Sequence, residues 1–447
     1  MDWQYQLAEL AEMVGAPAPA ATTAFRDIST DSRTIQPGTV FFALSGERFD
    51  GAEFVGDAFS KGACAAVTAK AHGAGPCIVT EDPLAALQRF AAKHRARYKI
   101  PLLALTGSCG KTSTKDLIAA VLGTKYRVVK TQGNLNNEIG CPLSLLHIDD
   151  GTDFAVIEMG ANHVGEIANL CAIAQPTEAA ITLVAPAHLE GFGSIENVAK
   201  AKGEIVENLG DNGVFYVNND DAWCRRIAQH FAGRKVRFGK QGDVALKACD
   251  FDANGEMRLD LDPVGVLRLP LFCAAHASNV MLAVAAGLEH GVTDFEAPLR
   301  DAAAKTSRFC IVQAGGLEII DDTYNANPAS VKAALDALRM RPGGGARIVA
   351  LGDMLELGES ARRLHAETGE YVGQSGASHL FARGDFAQAV VDGARAAGVI
   401  QAEVINDHAD MAHAIAAVAK PGDILLVKGS RGMQMEKVVQ SLQELAG

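Results

Sequence analysis

Lys111 and Thr112 follow closely spaced glycines in the stretch LALTGSCGKTSTKDLI, residues 103–118. An amine and a hydroxyl placed just after a glycine turn are the groups that phosphate chemistry asks for. Glycines let backbone N–H groups turn toward an anion at a helix N-terminus, where the partial positive charge lies. In such a loop Gly107, Ser108, Cys109 and Gly110 supply the turn and Ser113 belongs to the first helical turn. Lys111 then reaches the β/γ-phosphates, and the Thr112 hydroxyl can ligate Mg²⁺. The spacing is unusual. Two residues separate Gly107 from Gly110, whereas the common phosphate loop has about four at that point. The plain alternative is a glycine turn with an incidental lysine.

Two further residues have types suited to a metal-assisted reaction. Glu158 ends the apolar run FAVIE, the position from which a strand presents a carboxylate to a cation. His188 lies in a Pro- and Gly-containing loop after AAITLVA. Each also has an ordinary reading, as a solvated strand end and a structural histidine.

These groups need elements to position them. PLLAL before the loop reads as a buried strand, and Leu117, Ile118, Val121 and Leu122 after it share one helical face. IPLLALTG, DFAVIEMG, AAITLVAP and GVFYVNND each end in a polar or glycine-containing loop. That rhythm predicts a parallel α/β sheet with ligands at the carboxyl ends of its strands. Before it, TVFFAL lies between Pro37-Gly38 and Ser45-Gly46, the punctuation of a small mixed domain. After it, LEIIDDTYNANPAS, ARIVALGDMLELG and DILLVKGSRGM are again strands running into polar loops and helices. Asn327-Pro328 reads there as an N-cap and first helical residue, with Val331, Leu335 and Leu338 on the apolar face. The chain is thus read as α/β throughout, in three domains: a mixed N-terminal domain (1–82), a central phosphate-loop sheet domain (83–310) and a Rossmann-like C-terminal domain (311–447). A cleft between the last two is the natural place for a site.

Composition narrows the partners. The 41 basic and 53 acidic residues give a formal net charge of −12, which argues against broad nucleic-acid or anionic-membrane binding. Nine cysteines are scattered singly, with no C-x-x-C pair, so neither a disulfide framework nor a zinc site is expected. The first residues, MDWQYQLAEL, carry an acid at position 2 and no apolar core of a signal peptide, and no apolar run approaches a membrane span. A cytoplasmic protein without membrane insertion is expected.

The short G-x-x-G-K-T loop resembles that of the Mur ligase superfamily, ATP-dependent enzymes that add amino acids to the peptidoglycan precursor. TQGNLNNEIGCPLSLL, VIEMGANHVGEI, AHLEGFGSIENVAKAKGEI, DDTYNANPAS, GDMLELGE and VKGSRGM resemble, in order, blocks of the branch that adds a dipeptide. The resemblance implies ATP and Mg²⁺, with UDP-N-acetylmuramoyl-tripeptide and D-alanyl-D-alanine as substrates and a monomer as the working unit. It implies that the γ-phosphoryl group activates a carboxylate as an acyl phosphate, which an amine then attacks. By the same resemblance Thr112, Glu158, His188 and Lys202 are metal ligands, Lys202 (rather than Lys200) as a carbamate formed with CO₂. Composition alone reads AKAKGEI as a helix with a solvated basic face. His276 and Asn279 match a segment whose Asn meets the adenine, while the plain reading there is an N-capped core helix. Arg308 matches a hinge arginine near the phosphates, Asp322 a ribose ligand, and Tyr324 and Asn325 lie beside the base. Lys428, Ser430 and Arg431 are matched to the acyl phosphate or the dipeptide carboxylate. Ser32 and Arg33 are uridine-side candidates, and Asn134, Asn136 and Asn137 sugar-peptide candidates, although asparagine-rich loops also make turns. Asp353 and Glu356 can sense the dipeptide ammonium or cap a helix.

The chain departs from the family pattern at Ser307, Ala52 and TLVAP, and lacks a glycine two places ahead of His276. Competing readings are a single-amino-acid-adding Mur ligase or folylpolyglutamate synthetase, a phosphate-loop kinase or motor, and a nucleotide-binding scaffold without chemistry.

Overall fold

Leu102–Thr106, Phe154–Glu158 and Glu178–Ile181 are buried at every residue, the pattern of strands covered on both faces. The computed structural model describes residues 3–46, 49–306 and 308–447. The acid at position 2 and the departure at Ser307 lie outside the described residues. The central sheet has the order Val128–Lys130, Phe154–Glu158, Leu102–Thr106, Glu178–Ile181, Val214–Asn218, Arg234–Gly239, Val244–Phe251, Met257–Asp262, Gly265–Leu269. Pairing is parallel up to Val244–Phe251 and antiparallel beyond it. The purely parallel expectation therefore fails at this edge. There Met257–Asp262 alternates buried and less buried residues, as a meander covered on one face does.

The helix Lys111–Leu122 leads from strand Leu102–Thr106 to one side of the sheet, while the segment after its neighbour Glu178–Ile181 leads to the other. That reversal opens a crevice at the strand ends, where open α/β sheets bind ligands. Leu117, Ile118, Val121 and Leu122 bury the predicted face in one core cluster with helix His276–Glu289. On the other face of the sheet, one cluster joins Trp3, Tyr5, Phe25 and Phe90 to Leu102 and Ala104. Helix Pro83–Arg97, capped by Asp82, carries Phe90 and thus links the N-terminal region to the central sheet.

The N-terminal region has a four-stranded parallel sheet, Ile28–Ser29, Val40–Phe42, Ala65–Thr68 and Cys77–Val79. The last region has the order Cys310–Ala314, Leu317–Asp322, Ile424–Lys428, Arg347–Gly352, His379–Arg383, Gln401–Val404, antiparallel only in its first pair. Helix Pro328–Met340 opens on Asn327, whose side chain accepts from the Ser330 N–H at 2.9 Å, and it buries Val331, Leu335 and Leu338. Among the described residues no helix is long and apolar enough to cross a membrane.

Candidate active site

The loop between Leu102–Thr106 and Lys111–Leu122 is locked by its neighbouring strand. Ser108 N–H donates to Leu183 O at 2.9 Å, its hydroxyl donates to Ala185 O at 2.8 Å, and Thr182 Oγ1 donates to Cys109 O at 2.6 Å. Both glycines are required. Gly107 and Gly110 have φ of +147° and +81°, and a Cβ on them would lie 1.9 Å from Thr182 Oγ1 and 2.8 Å from Asn279 Oδ1. The Lys111 ammonium folds over this turn and donates to Gly107 O at 2.9 Å. Burial raises the pKa of the Cys109 thiol, so that residue is an inert part of the turn.

Beside the loop stands Glu158, 1% exposed. Its Oε1 accepts from Asn136 Nδ2 at 2.7 Å and from Thr112 Oγ1 at 3.3 Å, while its Oε2 is buried with no partner. A buried carboxylate oxygen left unpaired is costly unless something absent from the protein atoms satisfies it. With the Thr112 hydroxyl alongside, hard oxygen donors fit a small divalent cation such as Mg²⁺. Among the described residues no group of three or more His, Cys, Asp or Glu side chains is arranged to hold a metal. A cation here would draw on the Thr112 hydroxyl beside the Glu158 carboxylate.

Lys202 is the second notable group. Helix Ile195–Glu207 turns Lys200 to solvent and buries Lys202 to 2% exposure, its Nζ 5.4 Å from the centre of the Phe192 ring. Burial, assisted by the Lys111 charge, lowers the amine pKa to about 7, with Glu166 and Glu204 opposing. Glu204 is spent on the N–H groups of Gly165 and Ala168. The solvated reading of this helix thus holds for Lys200 and fails for Lys202.

The C-terminal domain closes over the same crevice. Asn327 Nδ2 donates to Ser108 O at 3.2 Å, and Arg308 Nη2 donates to Thr112 Oγ1 at 3.5 Å. The Arg308 guanidinium lies 3.2 Å from the Tyr324 ring centre. His188, at φ +52°, bonds through Nδ1 to the Glu356 carboxylate, and Glu190 N–H donates to Glu356 O at 3.0 Å. Burial lowers the His188 pKa, against the pull of Glu356. A cavity of about 450 Å³ lies beside the first helical turn, lined by Ser113, Asp116, Lys130, His276, Asn279 and Thr306.

Several candidate residues are engaged within the protein. Lys428 is 1% exposed and pairs with Asp322 Oδ2 at 2.5 Å, so neither side chain is free in the way expected of a phosphate or ribose ligand. Ser430 is buried and accepts from Leu355 N–H at 2.8 Å. Asp353 is buried and accepts from the N–H groups of Asp385 and Phe386 at 2.7 and 3.2 Å, a clamp on the next loop rather than a ligand for an ammonium. Asn137 Oδ1 accepts from Gly140 N–H at 2.9 Å at the start of helix Gly140–Leu145, and Asn136 Nδ2 donates to Glu158, so both carry an internal bond at the place where a sugar-peptide role was expected. His276 opens its helix without a side-chain cap, so the N-capped reading fails. Asn134 and Asn325 are exposed. Ser32 is buried, and the exposed Arg33 forms an ion pair with Asp31 at 2.7 Å. Sequence reading missed Thr182 and Phe192. Thr182 sits one residue past a strand that neighbours the loop, a signal that pairing would have supplied.

Comparison with known proteins accords with this geometry. Family models match at residues 25–95 (Mur ligase family, catalytic domain), 105–287 (Mur ligase middle domain) and 307–431 (Mur ligase, glutamate ligase domain). The chain is 34% identical to the UDP-N-acetylmuramoyl-tripeptide–D-alanyl-D-alanine ligase of Escherichia coli over 98% of both chains. With the Bacillus subtilis enzyme of the same name it shares 33% identity over 98% of this chain and 97% of that one. A crystal structure of MurF from Acinetobacter baumannii superposes with a TM-score of 0.91 at 31% identity, covering 99% of each chain. MurF ligase from Thermotoga maritima, in complex with ADP, gives 0.84 at 28% identity over 94% of this chain and 97% of that one. Full-length likeness of this kind leaves no room for the kinase reading, and the chain belongs to the Mur ligase family.

Proposed function

We propose that the chain is a cytoplasmic ATP-dependent ligase that joins D-alanyl-D-alanine to UDP-N-acetylmuramoyl-tripeptide, forming the UDP-muramoyl-pentapeptide. The observation that carries the reading is the convergence of Lys111, Thr112, the unpartnered oxygen of Glu158 and the buried Lys202 around one crevice, in a chain whose full-length relatives bear that activity's name. In the reaction the γ-phosphoryl group passes from ATP to the tripeptide carboxylate. The dipeptide amine then displaces phosphate as the amide forms, and one proton is released.

Each residue answers an electrostatic need of that sequence. The turn at Gly107–Gly110 presents backbone N–H groups to the phosphates, and Lys111 swings from Gly107 O to the γ-phosphoryl oxygens. Arg308, held on Tyr324 beside Thr112, adds a second positive charge from the domain hinge. Thr112, Glu158 and His188 would hold Mg²⁺, which screens the triphosphate from the approaching carboxylate. Lys202, neutral over much of its population near pH 7, can add to CO₂ with loss of one proton and become an anionic ligand. His276, Asn279 and the cavity beside Ser113 are assigned to the nucleoside end, with Tyr324 and Asn325 at the base. Ser32 and Arg33 are assigned to the uridine side and Asn134 to the sugar-peptide end.

Phosphate release from ATP in the presence of UDP-muramoyl-tripeptide, with and without D-alanyl-D-alanine, tests the reading. Release that requires both acceptors, with the pentapeptide as product, supports it. Release with no new amide overturns it.

A further inference from the structure

Helix Pro328–Met340 touches the central domain at both of its ends. Its N-cap Asn327 accepts from Ser330 N–H through Oδ1 at 2.9 Å and donates through Nδ2 to Ser108 O of the phosphate loop at 3.2 Å. At the other end stands Arg341, the first residue past the helix, with 9% of its side chain exposed. The 13 residues between them make a rod about 20 Å long. Two interdomain contacts thus sit at opposite ends of one stiff element.

Arg341 divides its fork between the two domains. Nε and Nη2 donate to Glu318 Oε1 and Oε2 at 2.6 and 3.1 Å, a bidentate pair within the C-terminal domain. Nη1 donates to Asn254 O at 3.1 Å, in the turn between the antiparallel strands Val244–Phe251 and Met257–Asp262 of the central sheet. The guanidinium also lies 4.7 Å from the centre of the Phe272 ring. The turn is built to receive it. Asp252 Oδ1 accepts from the N–H groups of Asn254 and Glu256 at 2.8 and 2.9 Å, which fixes the course of the turn. Gly255, at φ +77°, has no room for a side chain, as a Cβ would lie 1.9 Å from Arg341 Nη1. Along the helix, Cys273 Sγ donates to Ala333 O at 3.6 Å, and Phe272 and Cys273 pack with the C-terminal core.

We propose that Arg341 is a positioning residue for the nucleotide site. It latches the C-terminal domain to the hairpin turn at Asn254, and helix Pro328–Met340 carries that alignment to Asn327 on the phosphate loop. With the latch made, Arg308 and Tyr324 stand beside Thr112 before nucleotide arrives. With it broken, the domain samples orientations in which Asn327 leaves Ser108, and binding has to restore the aligned one. Apparent affinity then falls in proportion to the aligned fraction, while the bound complex reacts as before. An arginine is needed because its planar fork holds a carboxylate by two bonds and still offers a third donor.

This role rests on the nucleotide-site reading, and the test separates the two. A non-hydrolysable ATP analogue with Mg²⁺ is titrated by calorimetry, with ligation kinetics measured beside it. Arg341→Ala should weaken analogue binding and raise the KM for ATP about 10-fold, with kcat at saturating ATP within about 2-fold of the wild type. Small-angle scattering should show the free variant larger than the free wild type, and the two equal once saturated. Arg341→Lys should not restore the affinity. Gly255→Ala breaks the same contact from the central domain and should reproduce the loss, which keeps the test open if Arg341→Ala fails to fold. Gly265→Ala is the control: at φ +93°, at the start of strand Gly265–Leu269, it carries similar backbone strain with nothing within 4 Å, and should leave binding unchanged. Asn327→Ser keeps the helix cap and should weaken binding, but less than additively with Arg341→Ala, since both act through one rod. Wild-type affinity in Arg341→Ala or in Gly255→Ala, a loss in Gly265→Ala as large as in Gly255→Ala, or full additivity with Asn327→Ser overturns the latch alone. A wild type that binds no analogue overturns the nucleotide-site reading and the latch with it.

Discussion

Lys202 and Lys428 are both lysines buried to within a few per cent, and the protein treats them in opposite ways. Lys428 meets Asp322 at 2.5 Å and donates to Asn325 O at 2.8 Å, so its charge is matched where it is buried. Lys202 makes no ion pair among the described residues and faces the Phe192 ring, and burial brings its pKa to about 7. A desolvated ammonium with a partner braces the ends of two neighbouring strands of the C-terminal sheet, whereas one without a partner tends to give up its proton. Neutrality is what reaction with CO₂ requires. Variants at both lysines test whether this difference separates a structural group from a chemical one.

The largest effect is expected at Lys202. Lys202→Ala should lower turnover by about 10³-fold or more, since the paired anions of the reaction lose a stabilising ligand set. Its melting temperature should not fall, because an unpaired buried amine contributes little to stability. Acetate or propionate added to the alanine variant should restore part of the rate. Lys202→Arg should not respond, as a guanidinium keeps its charge and fills the space. An alanine variant that stays inert to short carboxylates would count against an anionic role.

Lys428→Ala should show the reverse pattern, a stability loss of about 3–5 kcal/mol from an orphaned Asp322, read by denaturant titration. Lys428→Met combined with Asp322→Leu should recover most of it. Equal stability of the single and double variants would mean that the pair does not act as a brace.

His94 offers a third buried base, this time satisfied while neutral. Tyr5 Oη and Ile148 O lie 2.7 and 2.8 Å from its ring nitrogens, and burial lowers its pKa to about 4. The unfolded imidazole titrates near its usual value of about 6.5, so between those values the unfolded chain binds more protons. Stability should accordingly fall as pH drops through that window, by up to about 3 kcal/mol. His94→Gln should flatten the profile; an unchanged acid limb would assign the loss to other groups.

The smallest change is expected at Asn136, which holds one oxygen of Glu158 at 2.7 Å. Asn136→Ala should weaken Mg²⁺ dependence or activity by about 10–100-fold without changing the KM for the sugar-peptide. A selective rise in that KM would return Asn136 to the substrate side.

Much of the fold was legible because its signals are local. The loop at Gly107–Thr112, the buried strand before it and the apolar face after it lie within a short stretch, and the structure reproduces them. Asn327 as a cap was legible for the same reason. The fate of polar residues at strand ends and in loops was not. Lys428 finds Asp322 across 106 positions, and Asn136 finds Glu158 across 22. A polar side chain at a strand end or in a loop looks free in a sequence because its partner is chosen by tertiary packing. Lys200 and Lys202 make the point most sharply, since two positions on one helix face solvent and core respectively. Only the resemblance singled out Lys202, and its burial supplies a physical reason.

The most direct measurement is ¹³C NMR of the protein equilibrated with ¹³C-bicarbonate near pH 8. The account predicts one carbamate resonance in the wild type, strengthened by Mg²⁺, retained in a Lys428 variant that still folds and lost in Lys202→Ala. A wild-type spectrum with no carbamate resonance, or one that survives Lys202→Ala, would contradict it.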